Sequence, residues 1–383
     1  MNNKVIHSIG IFHTEGTDEH SHCAYTQKTR RLVTMLAARG YKVVHYHAGD
    51  FEPIYGPFKK EQVDRNLVLV QLFGKEQLYD LREKAKKELG TNCTFEGDLA
   101  NVGTSLFRVF DAELQKSIRS TTAFPDKELF LHHFGWPHKA LGNIYPYSIH
   151  IEPGIGYPDT FAPYRIFESK AWLDHITGKQ NQLPQYGDFV IPNHFDETYW
   201  FSDEHIVRDK ISYMGRIYDH KGAMILGEIS NYLNETIHLA GQVDNDYLKR
   251  LQIKYPKLEY VGVLKGKSRV EYLQSSIISL LPTQYFEPFG GAIIEAGLCG
   301  AYPITSDFGV FNETIHRMYG KTCRTLKDYV DAIVDYKKEN NPLPLSINLH
   351  YRKFGMERLS FEYKAVIEKI IEMHNHGWKG NLS

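Results

Sequence analysis

The chain has 383 residues, enough for two domains of ordinary size, and it balances 45 Lys and Arg against 46 Asp and Glu for a formal net charge of −1. That balance excludes a global pull towards nucleic acid or an anionic membrane, and no uninterrupted apolar run approaches a bilayer span. Cys23, Cys93, Cys299 and Cys323 lie scattered without C-x-x-C spacing, which argues against a zinc site or a disulfide framework. The first residues show a strand pattern (Val5–Ile9) and no secretory n-region and h-region, so no signal peptide and a reduced, cytoplasmic setting are expected.

Lys4–Phe12 reads as the first strand, and the loop His13–Cys23 follows it. Ala24–Arg39 has helical spacing, with Leu32, Met35 and Leu36 apolar, and stops at Gly40 before a second strand at Tyr41–Tyr46. This is the βαβ opening of a doubly wound sheet, and its first loop, with Gly16, is expected to line the ligand crevice. Lys59–Gly90 interleaves Glu and Asp with Lys and Arg and has helical spacing in its later half, which predicts a solvated helix rather than a basic lipid-binding face. Leu129–Leu131 reads as another strand and runs into the histidine-rich His132–Lys139. Strand ends of that kind bind ligand in open α/β sheets. A metal there lacks an accompanying carboxylate or cysteine at ligand spacing. Ile151–Tyr157 reads as a glycine-rich loop with Glu152 as a contact for an acceptor, and Arg165–His175 as a helix.

In the second half, Ile211–Arg216 is a short strand that runs into Gly215, and Lys221-Gly222 follows. Arg216 offers a bidentate fork and Lys221 a mobile point charge, a pair suited to a diphosphate; two surface bases after a strand would look the same. Ile237–Gly241 and Leu258–Val263 read as the next strands. Asp244-Asn245-Asp246 matches a metal-binding D-x-D, yet its place after Gly241 predicts a polar turn or helix N-cap. Ile277–Leu281 is an apolar run of the buried-strand kind, ended by Pro282. Pro288 and Gly290-Gly291 then make a tight loop before a helix from about Ala292 to Gly300. Strand, glycine turn and helix present free N–H groups and a positive dipole end to an anion. Glu287 in the loop and Glu295 on the helix can accept sugar hydroxyls at that anion site. Tyr302–Thr305 reads as a further strand and Ser360–His376 as an amphipathic helix.

The stretch Glu287–Glu295, E-P-F-G-G-A-I-I-E, resembles the E-x7-E signature of retaining, nucleotide-sugar-dependent glycosyltransferases of the GT-B type, close to glycosyltransferase family 4. Tyr213–Gly222 is similar to that family's Y-x-G-R-x-x-x-x-K-G, Val190–Asp196 to V-I-P-N-G-V-D with His194 for the glycine, and Leu36–Tyr46 to L-x-x-x-G-H-x-V-x-V. The first loop departs from the family, which places adjacent glycines there; here Thr17–His22 follow Gly16.

The resemblance implies an α/β GT-B fold, two Rossmann-like doubly wound domains facing a cleft. An acceptor domain would span 1–192 and a donor domain 193–359, with 360–383 packing back on the first. It also implies metal-independent transfer, without cofactor, from a nucleoside diphosphate sugar to an acceptor hydroxyl with retention. Arg216, Lys221 and the helix start after Gly291 would stabilise the leaving diphosphate. Glu295 would accept from ribose, and Glu287, Phe289 and the Gly290-Gly291 backbone would hold the sugar. Val263 would border the base and Gly16 the donor phosphates. His138, then His133, would stand near the donor sugar. The acceptor stays open among small molecule, glycan, lipid and other polymer, as does the oligomeric state. A nucleotide-sugar epimerase and a catalytically silent sugar-nucleotide-binding subunit are the alternatives.

Overall fold

Two all-parallel sheets organise the chain in the computed structural model, which describes residues 4–20, 23–90, 93, 96–122, 127–338 and 341–378. Ser21 and His22 of the first loop and positions 379–383 of the terminal segment lie outside the described residues.

The first sheet holds β1 (Ile6–Ile9), β2 (Val43–His47), β3 (Leu67–Gln71), β4 (Leu129–His132), β5 (Ile149–Ile155), β6 (Tyr164–Phe167) and β7 (Asp188–Val190). Its order is β3-β2-β1-β4-β5-β6-β7. Ile6 pairs with Val43 on one side and Leu129 on the other, and every residue of β1 and β4 is buried. Burial on both faces is why β4 opens as an apolar run, and why the polar His7 and Ser8 of β1 are hydrogen-bonded, to the Tyr46 hydroxyl and to His45 and His133. The helix Met356–Asn375 shares one core with the helix Ala24–Ala38: Tyr363, Ile367 and Ile370 pack in the cluster that holds Leu32 and Leu36. Arg39 Nε donates to Ser360 Oγ at 2.7 Å across the same seam.

The second sheet holds β8 (Lys210–Met214), β9 (Ile237–Ala240), β10 (Leu258–Gly262), β11 (Ser276–Leu281), β12 (Tyr302–Ser306) and β13 (Lys321–Cys323), in the order β10-β9-β8-β11-β12-β13. Strand order reverses between β1 and β4 in the first sheet and between β8 and β11 in the second. Ligands of doubly wound sheets bind beyond the carboxyl ends of strands at such switch points.

Two expectations are corrected. Ile151–Tyr157 is mostly strand: Glu152 lies inside β5 with its carboxylate fully buried. It accepts from Phe161 N at 2.5 Å, Ala162 N at 2.6 Å and the Tyr157 hydroxyl at 2.8 Å, so its acceptor capacity is committed within the fold. Arg165 begins no helix; it sits in β6 and bonds Asp188 of β7 with both Nε (2.7 Å) and Nη2 (2.8 Å). The later half of Lys59–Gly90 is the expected solvated helix, Lys75–Leu89, preceded by a short helix and the edge strand β3.

The compact units are discontinuous in sequence. One comprises Met1–Glu168, Gln182–His194 and Met356–Ser383, the other Ser169–Asn181 and Phe195–Gly355. The helix Lys170–Lys179, although it lies between β6 and β7 in sequence, therefore belongs with the second sheet.

Candidate active site

At the switch point of the second sheet, glycines bring the strand ends together. Gly241 has φ 143°, and a Cβ there would stand 1.9 Å from the Gly215 carbonyl oxygen. Beyond β8, the Tyr213 hydroxyl donates to the Arg216 carbonyl at 2.7 Å and holds that backbone in place. Burial, reinforced by Glu287 nearby, pushes the Tyr213 phenol well up, so it stays a neutral donor. The Arg216 side chain is exposed, its guanidinium 5.7 Å from the Tyr218 ring.

The turn Asp219–Lys221 is riveted to the loop after β11. The His220 carbonyl accepts from Gln284 N at 2.8 Å, Tyr285 N at 3.0 Å and Thr283 Oγ1 at 3.2 Å. Lys221 then reaches Glu287 as an ion pair, both side chains largely buried, with its ammonium 4.4 Å over the Tyr285 ring. Gly290, at φ 76°, is the N-cap of the helix Gly291–Leu298, and no side chain caps it. A Cβ on Gly290 would meet the Phe311 ring at 2.6 Å. That helix start presents uncapped amides, the arrangement that attracts an anion.

The two glutamates are neutralised by separate cations. Glu295 pairs with Arg269, which stands on the helix Gly266–Gln274 and lies 5.6 Å from the Trp200 ring. Arg269 carries no motif, and nothing in the spacing pointed to it. The Phe289 side chain is core, packed on Phe195 and Phe354, so a ligand could meet this residue only through its backbone. Val263 is exposed just past Gly262, whose φ is 97°. Asp244 caps the helix Asn245–Lys254 by accepting from Tyr247 N at 2.8 Å.

The helix Lys170–Lys179 supplies support that no motif announced. Ser169 Oγ caps it by accepting from Trp172 N at 3.0 Å, and donates to the Pro288 carbonyl at 2.7 Å, next to Glu287. His175 stacks on Phe286 at 4.2 Å between ring centroids. The Glu287 loop is thereby held from both flanks.

In the first unit, Gly16 has no amide to spare for a phosphate. Its N–H donates to Asp50 O and its carbonyl accepts from Glu52 N, each at 2.8 Å, and a Cβ would sit 2.1 Å from the Phe51 ring. His133 and His138 follow β4, and both are buried. His133 Nε2 lies 2.8 Å from Ser8 Oγ, which in turn lies 2.9 Å from His45 Nδ1. Neither ring nitrogen of His138 has a hydrogen-bond partner among the described residues, and its ring stacks on Phe110. Burial lowers both imidazoles to about 3, so each is a neutral donor or acceptor at pH 7, not a cation.

Two doubly wound parallel domains, with a glycine-cornered, uncapped helix start at the switch point of the second, define the GT-B glycosyltransferase fold. Residues 203–337, within the second unit, match the family model of glycosyl transferases group 1. No curated protein sequence matches the chain. Among solved structures, sucrose-phosphate synthase from Thermosynechococcus elongatus superposes with a TM-score of 0.66 at 15% identity, covering 96% of this chain and 99% of that one. AviGT4, a glycosyltransferase involved in avilamycin A biosynthesis, gives 0.65 at 14% identity, with 97% and 98% coverage. Anabaena Alr3699/HepE in complex with UDP and glucose gives 0.63 at 13% identity, with 95% and 99% coverage. Among the described residues no helix is long and apolar enough to cross a membrane.

Proposed function

We propose that the chain is a metal-independent, retaining glycosyltransferase of the family 4 kind, which moves a hexosyl or pentosyl group from a nucleoside diphosphate sugar to an acceptor hydroxyl. The observation that carries this reading is the buried Lys221–Glu287 pair beside the uncapped, glycine-cornered helix start, inside the segment that matches the family model. As the bond from the anomeric carbon to the phosphate oxygen breaks, negative charge grows on the diphosphate. Arg216, Lys221 and the helix amides stabilise it electrostatically, the largest kind of single contribution to transfer of this type. Glu287, paired with Lys221, accepts from the sugar hydroxyls; Glu295, oriented by Arg269, accepts from the ribose. The acceptor oxygen bonds to the same face of the anomeric carbon, and the departing phosphate oxygen takes its proton. The UDP and glucose bound by the Anabaena protein support a UDP-sugar as the first donor to try.

The test is a thermal-shift panel of UDP-, GDP- and ADP-sugars with and without EDTA, followed by rates for Arg216→Ala. One donor should stabilise the protein in the presence of EDTA. Loss of the arginine should lower kcat/KM by roughly two to three powers of ten, on the order of 3–4 kcal/mol. A protein that binds no nucleotide sugar, or turns over only with an added divalent ion, refutes the reading.

A further inference from the structure

The turn that leaves β4 buries nearly everything it carries except one side chain. His132, His133, Gly135 and His138 are buried, yet Trp136 between them is 48% exposed. An exposed indole is common enough by itself. What distinguishes Trp136 is how much of the fold holds the backbone on either side of it. Gly135 sits at φ 64°, open to glycine and costly to other residues, and a Cβ there would lie 2.3 Å from the Tyr157 ring. Tyr157 is itself fixed, donating to the buried Glu152 carboxylate at 2.8 Å. Phe134, the residue before Gly135, packs edge-on against Phe12 and Tyr25. Pro137 fixes the next φ, and the Lys139 ammonium lies 4.1 Å over the indole. The turn stands at the switch point of the first sheet, where doubly wound folds bind ligands.

We propose that Trp136 is a stacking platform for a pyranose ring of the acceptor, so that the acceptor is a saccharide or carries one. This rests on the transfer reading above. An indole on a backbone held this way gives contact area at little cost in conformational entropy. A pyranose offers it a flat face of C–H groups, while its ring of hydroxyls needs polar partners at the edge. Lys139, exposed and with its ammonium over one face of the indole, supplies three donors beside a ring stacked on the other face, and no acceptor. An acyclic polyol has no flat face to present, and a lipid chain has no hydroxyls to offer the ammonium. Trp136 is thus a specificity-determining residue, distinct from the groups that hold the donor.

The experiment uses the full chain labelled with 5-fluorotryptophan, whose four indoles are Trp136, Trp172, Trp200 and Trp378. Trp136→Phe assigns the resonance. Methyl glucopyranoside, galactopyranoside and mannopyranoside are titrated beside sorbitol, a short peptide and a nucleoside monophosphate. The Trp136 signal should shift with at least one pyranoside and stay put with sorbitol and peptide. Once a glycoside acceptor is in hand, Trp136→Ala should raise its KM roughly tenfold, the size of one aromatic stacking contact, and Trp136→Phe should restore most of that. A signal that ignores every pyranoside, or moves only with the nucleotide or the peptide, overturns the platform. If the signal moves with a pyranoside but no nucleotide sugar is ever turned over, the platform stands and the transfer reading falls.

Discussion

Glu287 and Glu295 are chemically alike, yet their cations separate them. Lys221 and Glu287 share a nearly dry site, so removal of one partner leaves the other charge exposed to a large desolvation cost. A diphosphate offers Lys221 a replacement partner. Glu287→Gln therefore releases the ammonium towards phosphate, and affinity for the free nucleoside diphosphate should hold or rise while turnover with the sugar donor falls. Glu295→Gln has a different consequence, because Arg269 stays behind in its partly buried place with a weakened acceptor. Affinity for donor and for free diphosphate should both drop, by about 1–2 kcal/mol in total. Calorimetric titration of both ligands into both variants, beside initial rates, decides it. Equal weakening of free diphosphate binding in the two variants would mean the division of roles is wrong.

Elements position these residues through backbone contact, and Gly222 is where that is most restrictive. It has φ 88°, and a Cβ would fall 2.1 Å from the Pro282 carbonyl oxygen, a backbone atom with nowhere to go. Gly40 has a similar φ of 90° with nothing within 4 Å of a built Cβ. Gly40→Ala should cost only the left-handed penalty, about 1–2 kcal/mol. Gly222→Ala should cost more and also weaken nucleotide binding, because it pries the Lys221 turn off the loop after β11. Chemical denaturation with a binding isotherm for each variant tests the contrast; equal losses would remove the role assigned to that rivet. The same scale explains what could be read in advance. Strands β4, β11 and β12 were legible because burial on both faces writes a largely apolar stretch into the sequence, and β1, β2 and β8 to β10 because apolar and aromatic residues end at glycines or turns. Strand β6 was not: Y-R-I-F carries an arginine that is tolerable in a sheet only because Asp188 meets it from 23 residues away. Pro153-Gly154 disguised β5, where the register shifts between Glu152 and Ile155. In the site, the motif residues were legible as a motif. Arg269, Ser169 and His175 were not, because they become neighbours of the motif only through tertiary packing.

At the scale of the whole molecule, the first unit carries a load of buried neutral histidines. Burial lowers His7 to about 4 and His133 and His138 to about 3, lowers His47, and takes His45, His132 and His194 well below the usual value. Folded pKa values below the unfolded one mean that the unfolded chain binds these protons first. The stability they contribute is present above the unfolded value of 6.5 and is lost as pH falls towards the folded values. Each such histidine tilts the curve by about 1.4 kcal/mol per pH unit inside its window. Glu152 acts with the opposite sign. Burial raises it to about 7, so its contribution is fully present below the unfolded value of 4.5 and fades as pH climbs through 7. One carboxyl does not offset that many imidazoles. In the second unit His175, His238 and His350 are also lowered, but all three are only partly buried. The unit built on β1–β7 should therefore open first on acidification, and the midpoint of thermal unfolding should fall steeply from pH 7 to pH 5. Hydrogen exchange followed by mass spectrometry over that range can assign the loss: peptides spanning β1, β2 and β4 should lose protection before those spanning β8, β11 and β12. The reverse order, or a midpoint flat across those two pH units, would show that the imidazoles accept protons in place without unfolding the sheet around them.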